Sequence, residues 1–200
     1  MCKVICVTNR KLCGGDFLTR IERVAAARPD AVILREKDLP EPEYTALAEQ
    51  VTAICQRYDV QCILHSFAAA AVRLRAEYLH LPLPVLRQMQ SLPENIKIGV
   101  SCHSEAEAQE AVSRGANYLI AGHIFATDCK KGLPGRGTDF LRAVCRSVNV
   151  PVYAIGGIAP ENAAEVMQAG AAGFCIMSGL MQCDSPANEI EALRRACHEA

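Results

Sequence analysis

The sequence predicts an α/β fold, a single (β/α)8 TIM barrel over residues 1–200. Three observations predict it. Eight short apolar runs alternate with eight helical patterns along the chain. The runs are continuously apolar, as parallel strands buried on both faces are. Eight such units in 200 residues fit one compact barrel, with an open doubly wound sheet as the competing arrangement.

The elements follow in order. Lys3 to Thr8 predicts a first strand, and Asn9 to Gly15 a polar loop. Asp16 is placed to cap a helix whose Phe17, Ile21, Val24 and Ala25 share one face, ending before Pro29. Ala31 to Leu34 predicts the second strand and runs into four charges, Arg35-Glu36-Lys37-Asp38. Tyr44, Leu47, Val51 and Ile54 mark the next helix by their spacing. Val60 to Leu64, Glu77 to Leu81 and Lys97 to Val100 predict strands three to five, with short helices at Ala68 to Leu74 and Val85 to Met89 between them. Ser104-Glu105-Ala106-Glu107 has the spacing of a capping box, opening a helix that stops at Gly115. Asn117 to Ile120 is the sixth strand, Thr138 to Ser147 a helix and Val150 to Ile155 the seventh strand. Pro160 to Gly170 is a helix, Gly173 to Met177 the eighth strand, and a last helix runs from about Ala187 to the end.

Composition narrows the function. A formal net charge of −1 points to neither nucleic acid nor a membrane surface as a partner. The apolar runs are too short to span a bilayer, and the first residues carry no signal-peptide pattern. Eleven cysteines are an odd number, scattered, with no Cys-x-x-Cys. Several lie inside apolar patterns, where a free thiol is a small hydrophobe, so the expected setting is a reducing cytoplasm. Cys2 and Cys6 make only a weak metal pair, and their spacing also fits alternate positions on one strand face.

A barrel places the strands' polar ends on one rim, where barrel active sites lie. Arg35, Lys37, His65, His80, Ser101, His103, His123, Lys130, Gly157 and Ser178 are expected there, and the reading assigns all five histidines to that rim. No two histidines have a local metal spacing, which ranks a zinc site low. The richest stretch runs from Ala121 to Gly137, with a histidine, two lysines, an arginine and four glycines after the sixth strand. A loop of that length is either functional or disordered, and Ile124 and Phe125 give it apolar anchors. Gly156 and Gly157, with Met177 and Ser178 after strand eight, form the expected phosphate site: backbone N–H groups at glycines and a helix start attract an anion.

These segments carry a resemblance. Ile33 to Asp38, Leu79-His80-Leu81, Gly99 to His103, Gly122 to Lys130, Ala154 to Ile158 and Met177-Ser178-Gly179, in this order, resemble the thiamine phosphate synthase / TenI superfamily over nearly the whole chain. The resemblance implies a (β/α)8 barrel and one of two activities. Synthases join a pyrimidine pyrophosphate to a thiazole phosphate with Mg²⁺; thiazole tautomerases aromatise a carboxythiazole phosphate without metal. His65-Ser66 stands where the synthase pattern has Asn-Asp, and its second metal-binding acid falls near Val85. Gly122-His123 replaces its Gly-Pro, and the run through Asp128-Cys129-Lys130 is similar to the tautomerase branch. The leading expectation is therefore an isomerase without cofactor, acting on a small-molecule thiazole phosphate.

In that reading His123 shuttles the proton, since imidazole titrates near neutral pH. Arg35, Lys37, Ser101, Thr127, Cys129 and Lys130 bind the substrate, while Gly156, Gly157, Met177 and Ser178 hold its phosphate. The Mg²⁺-dependent synthase and a non-catalytic phosphate-ligand-binding regulator are the alternatives. Composition and resemblance both leave a homodimer open.

Overall fold

The computed structural model describes residues 2–127 and 132–198. Eight parallel strands close into a barrel in sequence order: β1 Lys3–Val7, β2 Ala31–Leu34, β3 Gln61–His65, β4 Tyr78–Pro82, β5 Lys97–Cys102, β6 Tyr118–Gly122, β7 Val152–Ile155 and β8 Gly173–Ile176. The pairing of Val4 with Phe174 and Cys6 with Ile176 joins β1 to β8 and leaves no sheet edge. The expected (β/α)8 barrel is therefore the fold, and the open sheet is excluded.

Side-chain alternation splits the core into two layers. Val4, Cys6, Val32 and Leu34 point outward and pack under the helices, whereas Ile5, Val7, Ile33, Ile63, Ile120 and Cys175 fill the barrel. The helices are α1 Phe17–Ala26, α2 Glu41–Arg57, α3 Ala68–Arg73, α4 Leu83–Gln88, α5 Glu105–Ser113, α6 Gly137–Ser147, α7 Pro160–Gln168, α8 Ser178–Gln182 and α9 Pro186–His198. Among the described residues no helix is long and apolar enough to cross a membrane.

The element boundaries need four corrections. A 3-10 turn at Arg10–Leu12 lies in the first expected loop, and α8 precedes the last helix. Both are too short to show a period. The capping box at α5 is only half formed. Ser104 Oγ accepts from the Glu107 backbone N–H at 3.1 Å, but Glu107 accepts from the N–H of His103, not Ser104. The histidines do not all gather at the rim, because His198 ends the outer helix α9.

The barrel top is tied by buried polar groups. Tyr44, fully buried on α2, donates to the Leu34 carbonyl and accepts from the His65 N–H, both at 2.8 Å. One phenol thus holds the ends of β2 and β3 together. Glu36 is buried as well; it accepts from Thr8 Oγ1 at 2.6 Å and from the Arg10 backbone N–H at 3.0 Å. Arg20 of α1 donates to the Leu180 and Cys183 carbonyls and fixes the far end of α8. We predict that Tyr44→Phe lowers unfolding stability by about 1–3 kcal/mol, since it strands a buried N–H and removes a donor from a buried carbonyl. Urea denaturation measures this, and a change below about 0.5 kcal/mol would contradict it.

Candidate active site

A cavity of about 230 Å³ opens at the carboxyl ends of the strands. Its lining brings together most of the expected residues: Arg35 after β2, Ser101 on β5, His123 and Thr127 after β6, Gly156 and Gly157 after β7, and Met177 and Ser178 after β8. Val7, Ile120, Ile155 and Cys175 form an apolar floor. Lys37 does not line it and is exposed to solvent. Cys129 and Lys130 lie outside the described residues.

The loop after β6 is laid against β7 by its backbone. The Ile124 N–H donates to Ile155 O and the Phe125 N–H to Gly156 O, both at 2.9 Å, while Ile124 is fully buried. Gly156 (φ +106°) and Gly157 (φ +65°) adopt left-handed backbone, and a Cβ on either would overlap His123 or Ala126. These glycines therefore let the two loops touch. Asn162, unnoticed in the sequence, accepts from the Ala159 N–H and donates to Gly157 O, clamping that turn. An Asn three residues into a helix pattern is a readable signal of such a clamp.

His123 is buried at 6% exposure. Its Nε2 sits 3.0 Å from the Pro134 carbonyl; a carbonyl only accepts, so Nε2 carries the proton. Nδ1 is buried with no hydrogen-bond partner among the described residues. His103 also lines the cavity, with its ring 3.3 Å from Glu107. His65 and His80 lie inside the barrel mouth as a stacked pair with ring centroids 5.6 Å apart. Burial, then Arg35 and Lys37, lowers the pKa of His65 to about 3. Burial, with His65 and Arg35, holds that of His80 well below the ordinary value. Both rings are neutral at pH 7.

The fold and the cavity place the chain among barrels that carry their sites in the βα loops. A family-wide comparison then narrows the class. The chain matches thiamine monophosphate synthase over residues 4–180, and it belongs to that family. Thiamine-phosphate synthase 2 of Streptococcus pneumoniae serotype 4 is 34% identical over 187 residues, covering 91% of this chain and 88% of that protein. Thiamine-phosphate synthase of Moorella thermoacetica is 36% identical over 202 residues, covering 97% and 95%. Among solved structures, thiamine phosphate pyrophosphorylase from Pyrococcus furiosus superposes with a TM-score of 0.84 at 28% identity, over 98% of this chain and 96% of that one. A 3-hexulose-6-phosphate synthase, 18% identical with a TM-score of 0.69, shares the fold alone.

These relatives correct the leading expectation. The isomerase reading, a thiazole tautomerase, rested on a few rim positions, His65-Ser66, Val85 and His123. The likeness to synthases extends over nine-tenths of the chain.

The resemblance implies Mg²⁺ for a synthase, and the described residues do not fit it. Ser66 offers a hydroxyl and Val85 no donor. The carboxylates after β2 are engaged, Glu36 by Thr8 and Arg10, and Asp38 by Arg10 and Lys11. Among the described residues no group of three His, Cys, Asp or Glu side chains is placed to hold a metal.

The neutral histidines give a pH prediction. An unfolded histidine binds its proton below about pH 6.5. Folded His65 does so only near 3. Between these values the unfolded chain holds more protons, so stability falls as pH drops. Urea midpoints are expected to fall from pH 7 to pH 4.5. His65→Asn should flatten that slope, by up to about 1.4 kcal/mol per pH unit; an unchanged slope would show that His65 carries none of it.

Proposed function

We propose that this chain is a transferase that makes thiamine phosphate, joining a pyrimidine diphosphate to a thiazole phosphate. The observation that carries this is the cavity itself: Arg35 lies in the same 230 Å³ space as Gly157 and Ser178. One site thus offers a cation for a diphosphate and a glycine–serine turn for a monophosphate. The full-length likeness to proteins named thiamine-phosphate synthase supports the reading.

The roles follow from charge and geometry. The thiazole phosphate docks against the turns of β7 and β8, where Gly157, Met177 and Ser178 line the cavity. The thiazole nitrogen lone pair attacks the pyrimidine methylene carbon. A C–N bond forms, the C–O bond breaks, and diphosphate leaves with the electron pair. Charge grows on that leaving group, so fixed cations lower the barrier. Arg35 supplies one at the cavity wall. Lys37, exposed outside the cavity lining and near enough to act on His65, adds a second cation at the mouth. The apolar floor keeps water from the electrophilic carbon. None of these contributions passes through a metal.

A binder without turnover is the second reading, favoured by Ser66 and Val85 at the two altered positions. The test is the coupling assay with both substrates, read by chromatography of thiamine phosphate, in Mg²⁺ and in EDTA. Product in both media, reduced about 10²-fold in kcat/KM by Arg35→Ala, is expected. Ligand binding with no product in either medium would select the binder.

A further inference from the structure

Beneath the cavity a polar column crosses three strands. His80 on β4 pairs in register with Gly99 on β5, and Gly99 pairs with Tyr118 on β6. Gly99 leaves a slot there, since a Cβ would overlap the Tyr118 ring. The ring therefore reaches across β5 toward β4. Tyr118 Oη lies 3.3 Å from His80 Nδ1, and His80 Nε2 lies 2.8 Å from Ser101 Oγ. Tyr118 and His80 are buried, and Ser101 opens into the cavity.

Hydrogen-bond arithmetic fixes the protons. The Tyr118 hydroxyl has no other hydrogen-bond partner among the described residues. Burial drives its pKa far up, so the phenol keeps its proton. A buried donor left unused is costly, so Tyr118 donates to Nδ1. His80, held neutral by burial, then carries its one ring proton on Nε2 and donates to Ser101. Ser101 Oγ accepts that bond, which leaves its own proton for the cavity. This polarity is opposite to that of a serine nucleophile, which gives its proton to the histidine.

We propose that Tyr118 and His80 are positioning residues that present Ser101 as an obligate hydrogen-bond donor to a lone-pair acceptor atom of the bound substrate. The proposal rests on the synthase reading of the cavity for its ligand, but the proton arrangement belongs to the free protein. It also explains Gly99: the glycine makes room for the phenol that sets the tautomer.

Two measurements test it. In ¹⁵N-histidine-labelled, ligand-free protein, the His80 signals (assigned by their loss in His80→Gln) are expected to show a pyridine-type Nδ1 and a protonated, pyrrole-type Nε2. A protonated Nδ1 would overturn the proposal. The second is a double-mutant cycle on thiamine phosphate binding, read by calorimetry. Tyr118→Phe and Ser101→Ala are each expected to weaken binding about 10-fold, and the double variant by no more than either alone. His80→Gln, which keeps an N–H at the Nε2 position, should bind better than His80→Leu. Additive losses would reduce Tyr118 to a packing role and overturn the positioning claim. A tautomer as stated in a chain that binds no thiamine phosphate would uphold the proton arrangement and overturn the synthase reading of the cavity.

Discussion

Hydrogen bonding between β8 and β1 closes the sheet, and that closure decides where the chemistry lies. In an eight-stranded parallel barrel every strand ends on the same rim, so residues far apart in sequence meet there. Arg35 and Ser178 are separated by most of the chain and line one cavity. Closure alone does not aim side chains. That falls to a few buried polar groups: Tyr44 ties β2 to β3, Glu36 ties the first loop to the β2 end, Arg20 anchors α8, and Asn162 clamps the turn after β7. Each satisfies backbone groups at a place where the strands have stopped pairing, and there an unpaired group would be costly.

The strands were legible because both faces of a parallel barrel are buried, which writes continuous apolar runs into the sequence. Helix α1 was legible through Asp16, whose side chain accepts from the Thr19 N–H at 2.7 Å as a cap should. The rim residues were legible as polar strand ends. Other features depended on three-dimensional pairing that no local pattern carries. Glu36 is one of four consecutive charges after β2 in the sequence, and nothing local marks it as buried. Glycines 156 and 157 read as anion-binding turns, yet their conformations are also demanded by contact with His123 and Ala126. Tyr118 read as an apolar strand residue, because nothing local announces that its hydroxyl meets a histidine two strands away. The activity was not legible in a few altered rim positions, because the likeness to synthases is spread over the whole barrel.

The histidine pair shows how burial and charge act together. A rim that holds Arg35 and Lys37 beside a buried imidazole disfavours a third positive charge. His65 and His80 therefore serve as neutral hydrogen-bonding groups, and the cationic character of the mouth stays with Arg35 and Lys37. This division suits a site that meets anions.

The same reasoning bears on the altered positions. In the synthase pattern two aspartates and a divalent cation sum to no net charge. Ser66 and Val85 without that cation also sum to none. Removing the metal alone would set two carboxylates against a diphosphate, and removing the carboxylates alone would leave the ion unheld. Only the joint change keeps the field that Arg35 and Lys37 present to an anion. The two departures that the resemblance marks are thus one change in electrostatic terms, with a neutral His65 next to Ser66.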